Sequence, residues 1–534
     1  MSLANFINAL KIPIFCMPSG HALPIIRDYH KHGLFTPSKL SIWRTEHGAG
    51  LGAVGYSTST RKASLLVATA GPGITNSITA VKQAYEESLP IIVLGVNNFS
   101  SVLDRKVGSM HEIPDSMVFF ETISCHQERI LKSENFVSTF LKAFEIALRE
   151  NSPVYLEIPS DVLIQSEGLS WDESIIAEMK VEKYKCELSD EFISDLIAAD
   201  SPIIIAGWGT VMADCVNQVE VLANLLNVPL VPTVKASSWY GGKQNVGAIL
   251  DRTLTIGKVA AEADLIIALG TSLSYLNTSN NNLKFGGKIY RFASSEPFET
   301  SYRVNEVRCD ARFATESILK VVEKNGINPK NNVVACELLD KRMSIFERDV
   351  TIGMSHLRSI QKSFMESTMF VFDLCLQAYI FQRVWNVEKK QRFLLSFGWG
   401  NLGSALPMAL GILCATSERN VVCLCGDGGF NYAISELSML EQINPSERKL
   451  TILLFNNQAF GTLSQIANDE TLFKTPCPDY SKISSAYKMK YFMVDGDDVD
   501  AVLAKCAKVS DAHCFVELRI HEDPLIFNRL KYDD

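Results

Sequence analysis

Residues 421–461 read VVCLCGDGGFNYAISELSMLEQINPSERKLTILLFNNQAFG, in which two apolar segments are each followed by glycine, aspartate or asparagine. The first segment ends at Cys425, before a Gly-Asp-Gly-Gly turn and a predicted helix, and the second ends in Asn456 and Asn457. In a parallel sheet the carboxyl ends of adjacent strands form the crevice where ligands bind. Asp427 is therefore expected to face the asparagine pair across such a crevice.

These residue types indicate what the crevice binds. A carboxylate, an amide oxygen and a backbone carbonyl are hard oxygen ligands that suit Mg²⁺. Gly428 and Gly429 would let backbone N–H groups at a helix start approach a phosphate closely. A Gly-Asp-Gly turn alone is common in loops, but two halves 30 positions apart, each ending an apolar segment, favour a magnesium–diphosphate site.

The rest of the chain predicts an α/β fold with three doubly wound parallel-sheet domains, because short β-branched runs alternate with helical stretches. The predicted domains cover residues 1–168, 188–325 and 345–534, and charged, Asn- and Lys-rich linkers cover 166–189 and 323–332. The first domain has predicted strands at 12–17, 40–44, 65–69, 91–94 and 154–158 and a helix at 75–87. The second has strands at 202–207, 228–232, 264–270 and 288–293, and the third at 369–373, 393–397, 421–425, 450–455 and 513–520.

Composition narrows the class of protein. The 534 residues carry a net charge of −9, which argues against a nucleic-acid surface, because such surfaces cluster Lys and Arg. No apolar run reaches the roughly 20 residues that span a bilayer, and the first residues lack signal-peptide features. The 13 cysteines do not form a disulfide pattern, and Cys423 and Cys425 suit a buried strand better than a zinc site. We therefore expect a reduced, cytoplasmic enzyme that binds neither nucleic acid nor membrane.

A Gly-Asp-Gly turn followed by about 30 residues and an Asn pair is typical of thiamine diphosphate enzymes. Over nearly its whole length the chain resembles the superfamily of acetohydroxyacid synthases, pyruvate oxidases and 2-oxoacid decarboxylases. The resemblance implies a pyrimidine-binding first domain, a central nucleotide-type domain and a diphosphate-binding third domain. It further implies Mg²⁺ ligands, namely Asp427, the Asn457 side chain and the Ala459 carbonyl, and diphosphate contacts from Gly428, Gly429, Phe460, Gly461 and Thr462.

A second match to the family is WRTEHGAGLGAVGY, residues 43–56. It implies that Glu46 is the catalytic acid, which stabilises the imino tautomer of the cofactor's aminopyrimidine. Small residues after Glu46 would allow close packing against the cofactor or a partner helix. Without the other matches, Glu46 would be interpreted as an acidic residue in the first turn of a helix, where the helix dipole favours a negative charge. The stretches LVATAGPGITN (66–76) and EESLP (86–90) are family-like too, and they imply cofactor contacts at Gly71 and Asn76.

A third match is FGWGNLGSALPMALG, residues 397–411. Family members carry a large aliphatic residue 25 positions before the metal aspartate, which here is Leu402. The resemblance implies that Leu402 bends the cofactor into a V shape and that the Gly400 carbonyl accepts a hydrogen bond from its N4′ amine. Without the resemblance, an isolated Leu at a helix start would be interpreted as an ordinary residue of the hydrophobic core.

The sequence says less about which reaction the enzyme catalyses than about which cofactor it binds. Pyruvate decarboxylase-like enzymes carry an aspartate where this chain has Gly20, and two histidines where it has His111 and Glu112. The loop MHEIPD resembles loops in decarboxylases of longer, basic 2-oxoacids, so His111 and Glu112 are candidates to relay protons or to pair with a charged substrate tail. A solvated surface pair fits the two residues equally well. His21 is interpreted either as a helix-start residue or as a pocket residue.

Our first hypothesis is a thiamine diphosphate- and Mg²⁺-dependent enzyme that decarboxylates a 2-oxoacid, with carboligation to a 2-hydroxyketone as in acetolactate synthase. The alternatives are a non-oxidative decarboxylase of a longer or basic oxoacid, a lyase of an acyl-thioester, and a non-catalytic regulatory paralogue. FAD is not expected, because Ser272 stands where flavin-binding relatives often carry arginine. The resemblance implies a homodimer or homotetramer in which Glu46 and the diphosphate site meet across the subunit interface.

Overall fold

The computed structural model describes residues 2–168, 171–248, 254–296, 298–327, 351–385, 391–467, 469, 471–495 and 498–519. Within these ranges the strands form three sheets, and every strand pairing is parallel. Helices connect successive strands and pack on the sheets, as parallel crossovers require. The predicted α/β fold class is confirmed.

The first sheet contains β1 (Ile14–Cys16), β2 (Leu40–Ile42), β3 (Ser64–Thr69), β4 (Ile91–Asn97), β5 (His126–Arg129) and β6 (Val154–Pro159). Their spatial order is β2-β1-β3-β4-β6-β5. The helices around it are Leu3–Ala9, Leu23–Lys31, Glu46–Thr60, Pro72–Glu86, Phe136–Glu150 and Ser160–Gln165, with 3₁₀ turns at Ser100–Val102, Met117–Phe120, Ser133–Asn135 and Ser166–Gly168.

The second sheet contains β7 (Pro202–Ala206), β8 (Leu230–Pro232), β9 (Leu265–Leu269), β10 (Lys288–Ala293) and β11 (Val304–Arg308). Their order is β11-β10-β9-β7-β8. The helices of this part are Glu173–Glu178, Asp190–Ala198, Trp208–Met212, Val216–Leu226, Leu254–Glu262 and Ala311–Asn325, with a 3₁₀ segment at Val234–Trp239.

The third sheet contains β12 (Met369–Phe372), β13 (Arg392–Leu395), β14 (Asn420–Gly426), β15 (Lys449–Asn456), β16 (Lys490–Asp495) and β17 (Cys514–Arg519). Their order, β13-β12-β14-β15-β17-β16, repeats the topology of the first sheet. The helices are Thr351–Ser363, Leu376–Val384, Ala405–Ala415, Asp427–Ala433, Gly461–Ala467, Tyr480–Ala486 and Val499–Ala507, with a 3₁₀ segment at Ile434–Gln442.

The sequence analysis did not predict three of the strands, namely β5, β11 and β16. Each lies at an edge of its sheet, and most of its residues are partly or fully exposed. An edge strand that is not covered on both faces does not need the continuous apolar run by which the central strands were recognised. Their polar sequences therefore looked like loops.

Both predicted linkers overlap a helix of the structure. Residues 166–189 are not wholly irregular, because the helix Glu173–Glu178 lies within them. The predicted linker at 323–332 begins inside a helix, since Ala311–Asn325 ends at Asn325. Its last residues, from 328 onward, lie outside the described residues, as does the predicted start of the third domain at 345. In the part of the chain that the structure describes, no helix combines the length and the apolar character needed to cross a membrane.

The first and third sheets are joined by a direct contact between the helices Glu46–Thr60 and Ala405–Ala415. Both helices are buried almost all round, and their side chains belong to one continuous apolar core. A Cβ added at Gly411 would lie 2.1 Å from the carbonyl oxygen of Gly52, so the two backbones touch. The small residues that follow Glu46 therefore pack against a helix of the same chain.

The backbone contact predicts that Gly411→Ala destabilises the protein. The new methyl group meets a carbonyl oxygen that cannot rotate away, and overpacking of this kind costs about 1–3 kcal/mol. We expect the unfolding temperature, measured by circular dichroism, to fall by several degrees. The matched control is Gly257→Ala, also inside a helix, where an added Cβ has nothing within 4 Å. A Gly411→Ala protein as stable as Gly257→Ala would contradict the tight helix contact.

Candidate active site

Asp427 lies at the carboxyl edge of the third sheet, where β14 ends and the helix Asp427–Ala433 begins. Its side chain is only 2% exposed. Oδ1 accepts a hydrogen bond from the Gly428 N–H at 3.0 Å, and Oδ2 accepts one from the Cys477 thiol at 3.1 Å. Burial raises the pKa of Asp427 above its ordinary value. The carboxyl group has no cationic partner among these contacts.

The two asparagines after β15 have different surroundings. The Asn456 amide donates to Oε1 of Glu517 at 2.8 Å, and its oxygen accepts from the Gln458 N–H at 3.1 Å. Asn456 thus fixes the strand end. The Asn457 oxygen accepts from the Ala459 N–H at 3.2 Å, and Asn457 lines a cavity together with Asp427.

This cavity has a volume of about 220 Å³ and lies at the carboxyl edge of the third sheet. It brings together most of the predicted cofactor and metal residues, which are Leu402, Asp427, Gly428, Gly429, Asn457, Ala459, Phe460, Gly461 and Thr462. The remaining lining residues include Leu374, Cys375 and Tyr379. Gly400 is exposed and is not part of the lining, so its predicted carbonyl contact stays a prediction.

Asp373 is a residue of this region that the sequence analysis missed. It follows β12 and is buried, and its Oδ1 accepts from the N–H groups of Leu374 at 2.7 Å and Gly403 at 3.0 Å. A Cβ added at Gly429 would lie 2.6 Å from Oδ2 of Asp373, so a larger residue there would have to displace the Asp373 carboxyl group. The signal was present in the sequence MFVFD, an aspartate at the end of an apolar strand like Asp427.

Glu46 is the first residue of its helix and lies outside the lining of the third-domain cavity. The helix is capped by Thr45, whose hydroxyl oxygen accepts from the Gly48 N–H at 2.8 Å. The Glu46 carboxyl group is 4% exposed, and Oε2 accepts from the Asn76 amide at 3.2 Å. Burial, and then the nearby Glu46 carboxylate, raise the pKa of Cys16 to about 12. Two predicted residues, Glu46 and Asn76, are thus in contact.

Glu436 is a second residue that the sequence analysis missed, and it comes from the third domain. Its Oε1 accepts from the Thr45 hydroxyl at 2.8 Å and its Oε2 from the Arg44 N–H at 3.3 Å. Burial raises the pKa of Glu436. The third domain therefore holds the start of the helix that carries Glu46. No local pattern points to this role, since the two segments are about 390 residues apart in the chain.

The other candidates lie in the loop after β4. The ring of His111 has Nδ1 3.1 Å from the Ala70 carbonyl, next to Gly71. Oε2 of Glu112 accepts from the N–H groups of Val107 at 2.9 Å and Ser109 at 3.1 Å, and these hydrogen bonds lower the pKa of Glu112. Glu112 is thus engaged by its own loop. Its predicted catalytic role and that of His111 stay predictions.

Comparison with known families agrees with this geometry. Three family descriptions match the chain in order: the N-terminal binding domain of thiamine pyrophosphate enzymes at residues 7–118, their central domain at 190–306 and their C-terminal binding domain at 375–518. Each match falls on one of the three sheets and covers most of its strands. The chain belongs to the thiamine diphosphate-dependent enzyme superfamily. Thiamine pyrophosphate is the same compound as thiamine diphosphate, and the resemblance inferred from the sequence is confirmed.

The curated relatives of this thiamine diphosphate enzyme include acetolactate synthases, a decarboxylase and hydrolases. A probable 2-ketoarginine decarboxylase of Pseudomonas aeruginosa is 26% identical over 89% of this chain and 85% of its own length. The acetolactate synthase large subunit of Haemophilus influenzae is 24% identical over 96% and 92%. A 3D-(3,5/4)-trihydroxycyclohexane-1,2-dione hydrolase of Lacticaseibacillus casei is 22% identical over 91% and 84%.

The buried carboxyl group of Asp373 predicts a pH-dependent contribution to stability. Burial raises the pKa of Asp373 from 3.8 to about 6, so the folded chain binds a proton there more readily than the unfolded chain. The stability from that proton is present at low pH and is lost as the pH rises through about 6. In the cofactor-free protein, the unfolding temperature of wild type minus that of Asp373→Asn should increase as the pH falls from about 7 to about 4.

Asp511→Asn is the control for this measurement, because Asp511 is exposed. The change in its difference from wild type over the same pH range is the reference for Asp373→Asn. A pH-independent difference for Asp373→Asn would show that Asp373 does not titrate in this way.

Proposed function

We propose that this enzyme binds thiamine diphosphate and Mg²⁺ and decarboxylates a 2-oxoacid, with carboligation to a 2-hydroxyketone in the manner of acetolactate synthase. The observation that carries the proposal is the cavity in which Asp427, Asn457 and Ala459 lie beside the helix start at Gly428 and Gly429. When bound, thiamine diphosphate supplies an electron sink for the carbon that loses CO₂.

The lining residues fit the diphosphate end of this cofactor. The Asp427 carboxylate, the Asn457 amide oxygen and the Ala459 carbonyl are hard oxygen donors that would hold Mg²⁺. The N–H groups at Gly428 and Gly429, at the positive end of a helix, would hold phosphate oxygens. Gly461 and Thr462 also line the cavity, and their backbone would contribute further N–H donors.

The remaining residues would orient the pyrimidine end. Leu402 lies on the cavity wall and would set the bend of the cofactor. Glu46 would hold a proton at N1′, and Asn76 orients its carboxyl group through the 3.2 Å hydrogen bond. Burying the Glu46 carboxyl group lowers the stability of the fold, and a non-catalytic paralogue would gain nothing from it.

A homo-oligomer is part of the proposal, with Glu46 of one copy serving the cavity of another. In support, the cavity is lined by third-domain residues, and Glu46 is not among them. The apolar side chain of Leu463, which lines the cavity, is also exposed. Exposed apolar surface beside a functional site is typical of an interface.

The second candidate is a non-oxidative decarboxylase of a longer or basic 2-oxoacid. Two observations favour it: the 2-ketoarginine decarboxylase name of one relative, and the loop MHEIPD around His111 and Glu112. Either reaction proceeds without flavin, and Ser272 argues against FAD in the central domain. The products separate the two candidates, since a simple decarboxylase releases an aldehyde and a synthase forms acetolactate from pyruvate.

The metal proposal predicts that thiamine diphosphate stabilises the folded protein only when Mg²⁺ is present. Ligand binding to the folded state raises the unfolding temperature by mass action. Asp427→Asn should abolish the stabilisation by thiamine diphosphate and Mg²⁺ together, measured by differential scanning fluorimetry, whereas Asp511→Asn should retain it. An Asp427→Asn protein with a full response would remove Asp427 from the metal site.

The catalytic proposal predicts that Glu46→Gln keeps the fold and the cofactor affinity but loses turnover by about 100-fold or more, as removal of an acid–base group does. The assay is CO₂ release from pyruvate and from basic 2-oxoacids, with products identified by mass spectrometry. Glu173→Gln is the matched control, because Glu173 is also the first residue of a helix but is exposed.

Acetolactate from pyruvate in the wild-type protein supports the synthase proposal, and aldehyde alone supports the second candidate. Near-normal turnover in Glu46→Gln would contradict the assigned role of Glu46. Absence of CO₂ release from every 2-oxoacid, with thiamine diphosphate bound, would contradict both candidates.

A further inference from the structure

Cys477 contacts the carboxyl group that is proposed to bind Mg²⁺. Its sulfur lies 3.1 Å from Oδ2 of Asp427 and 3.7 Å from Oδ1 of Asn456. Asp427 follows β14 and Asn456 ends β15, and these two strands are adjacent in the third sheet. Because an ionised carboxylate only accepts hydrogen bonds, the thiol donates to Asp427. The sulfur therefore bridges the two strand ends at the proposed metal site.

Cys477 belongs to the segment 473–480, FKTPCPDY, which we call the clasp. The first half of the clasp runs antiparallel to residues 458–460, and two backbone hydrogen bonds of 2.9 and 3.0 Å join the two segments. Neither of these hydrogen bonds uses the carbonyl of Ala459, which is a proposed metal ligand. The clasp therefore holds the chain on both sides of that carbonyl without occupying it.

The other end of the clasp packs on the helix Asp427–Ala433. The ring of Tyr480 is buried and meets the ring of Phe430 edge to face, with centroids 5.7 Å apart. The Tyr480 hydroxyl donates to Oδ1 of Asn431 at 3.3 Å. Both partners belong to the helix that Asp427 begins. The clasp thus connects this helix with residues 458–460, which are the two halves of the proposed metal site.

The sequence of the clasp restricts the position of the thiol. Cys477 stands between Pro476 and Pro478. Proline fixes its own φ, and a residue that precedes a proline is biased toward extended backbone. The Cys477 side chain is half-buried and packs against the core that the first and third domains share. Backbone and packing together therefore place the thiol before any metal binds, and little entropy is lost in ordering it.

The two donors to Asp427 have a feature that suits a metal ligand. Oδ1 accepts from the Gly428 N–H at 3.0 Å, and Oδ2 accepts from Cys477. Each carboxylate oxygen can accept two hydrogen bonds, so both oxygens keep capacity for a cation. Both donors are uncharged, and they orient the carboxylate without neutralising it as a lysine or arginine would. Hydrogen bonds to a ligating carboxylate commonly determine how well it binds its metal.

We propose that Cys477 is a positioning residue, whose thiol holds the Asp427 carboxylate in the orientation that binds Mg²⁺. This inference rests on the proposed function, because it assumes that Asp427 is a metal ligand. Cys477 is not part of the cavity lining, so its removal should weaken metal binding and leave the reaction of the loaded enzyme nearly unchanged.

The test compares Cys477→Ala and Cys477→Ser in the full-length protein. The unfolding temperature is measured by differential scanning fluorimetry at saturating thiamine diphosphate while Mg²⁺ is titrated. Cys477→Ala loses the donor, and we expect its half-maximal response to need about 10- to 100-fold more Mg²⁺, as for other residues that orient metal ligands. Cys477→Ser should respond close to wild type, because a hydroxyl also donates to the carboxylate.

The matched control is Cys186→Ala. Cys186 is also half-buried, but it packs against the core of the second sheet. Its Mg²⁺ dependence should equal that of wild type. Each variant is also measured without cofactor and metal, because a merely structural role of Cys477 would lower that unfolding temperature and leave the Mg²⁺ midpoint unchanged. At saturating Mg²⁺, kcat for a 2-oxoacid that wild type decarboxylates should be close to normal in Cys477→Ala.

Two results would overturn the role of Cys477 and leave the proposed function intact. One is a Mg²⁺ midpoint of Cys477→Ala equal to that of Cys186→Ala. The other is a Cys477→Ser protein as impaired as Cys477→Ala, because the restored donor should then have restored the affinity. A wild-type protein whose unfolding temperature does not respond to thiamine diphosphate and Mg²⁺ would instead contradict the proposed function itself.

Discussion

The contact between the helices Glu46–Thr60 and Ala405–Ala415 is the constraint on which the rest of the chain depends. Because Gly52 and Gly411 carry no side chains, the two backbones meet directly and the first and third domains share one core. One helix begins at Glu46 and the other begins shortly after Leu402. Both proposed cofactor contacts are therefore tied to a helix whose position this packing fixes.

Buried acids are the second common feature of the functional region. Asp373, Asp427 and Glu436 each have a pKa raised by burial, and each is held by N–H, hydroxyl or thiol donors rather than by a cation. Burying such a group costs stability, so we expect each of them to be retained for another purpose. For Asp427 that purpose is the proposed metal, and for Glu436 it is the position of the helix that starts at Glu46.

The sequence predicted the fold class and the contents of the cavity because both leave local patterns. β14 and β15 are apolar runs, and the residues that follow them meet wherever two parallel strands are adjacent. Edge strands such as β16 left no such pattern, since partial exposure allows polar residues. Asp373 could have been predicted from the sequence, since it follows an apolar strand as Asp427 does.

The roles of Glu436 and Cys477 depend on contacts between segments that are far apart in the chain, and spacing along the sequence contains no record of those contacts. Glu112 differs from these residues, because its contacts are local: two N–H groups of its own loop decide where its carboxyl group lies.

The buried carboxyl group of Glu87, in the first domain, has its cationic partner in the central domain, although none of the described central-domain residues lines the cavity. Glu87 is buried, and it receives the Lys235 ammonium from the central domain, the Gln83 amide from its own helix at 2.9 Å and the Gly398 N–H from the third domain at 3.2 Å. Lys235 also lies 4.3 Å from the centre of the Trp208 ring. Removing the central domain would leave the buried Glu87 carboxyl group without its cationic partner, which is strongly destabilising, so the central domain contributes to the stability of the other two.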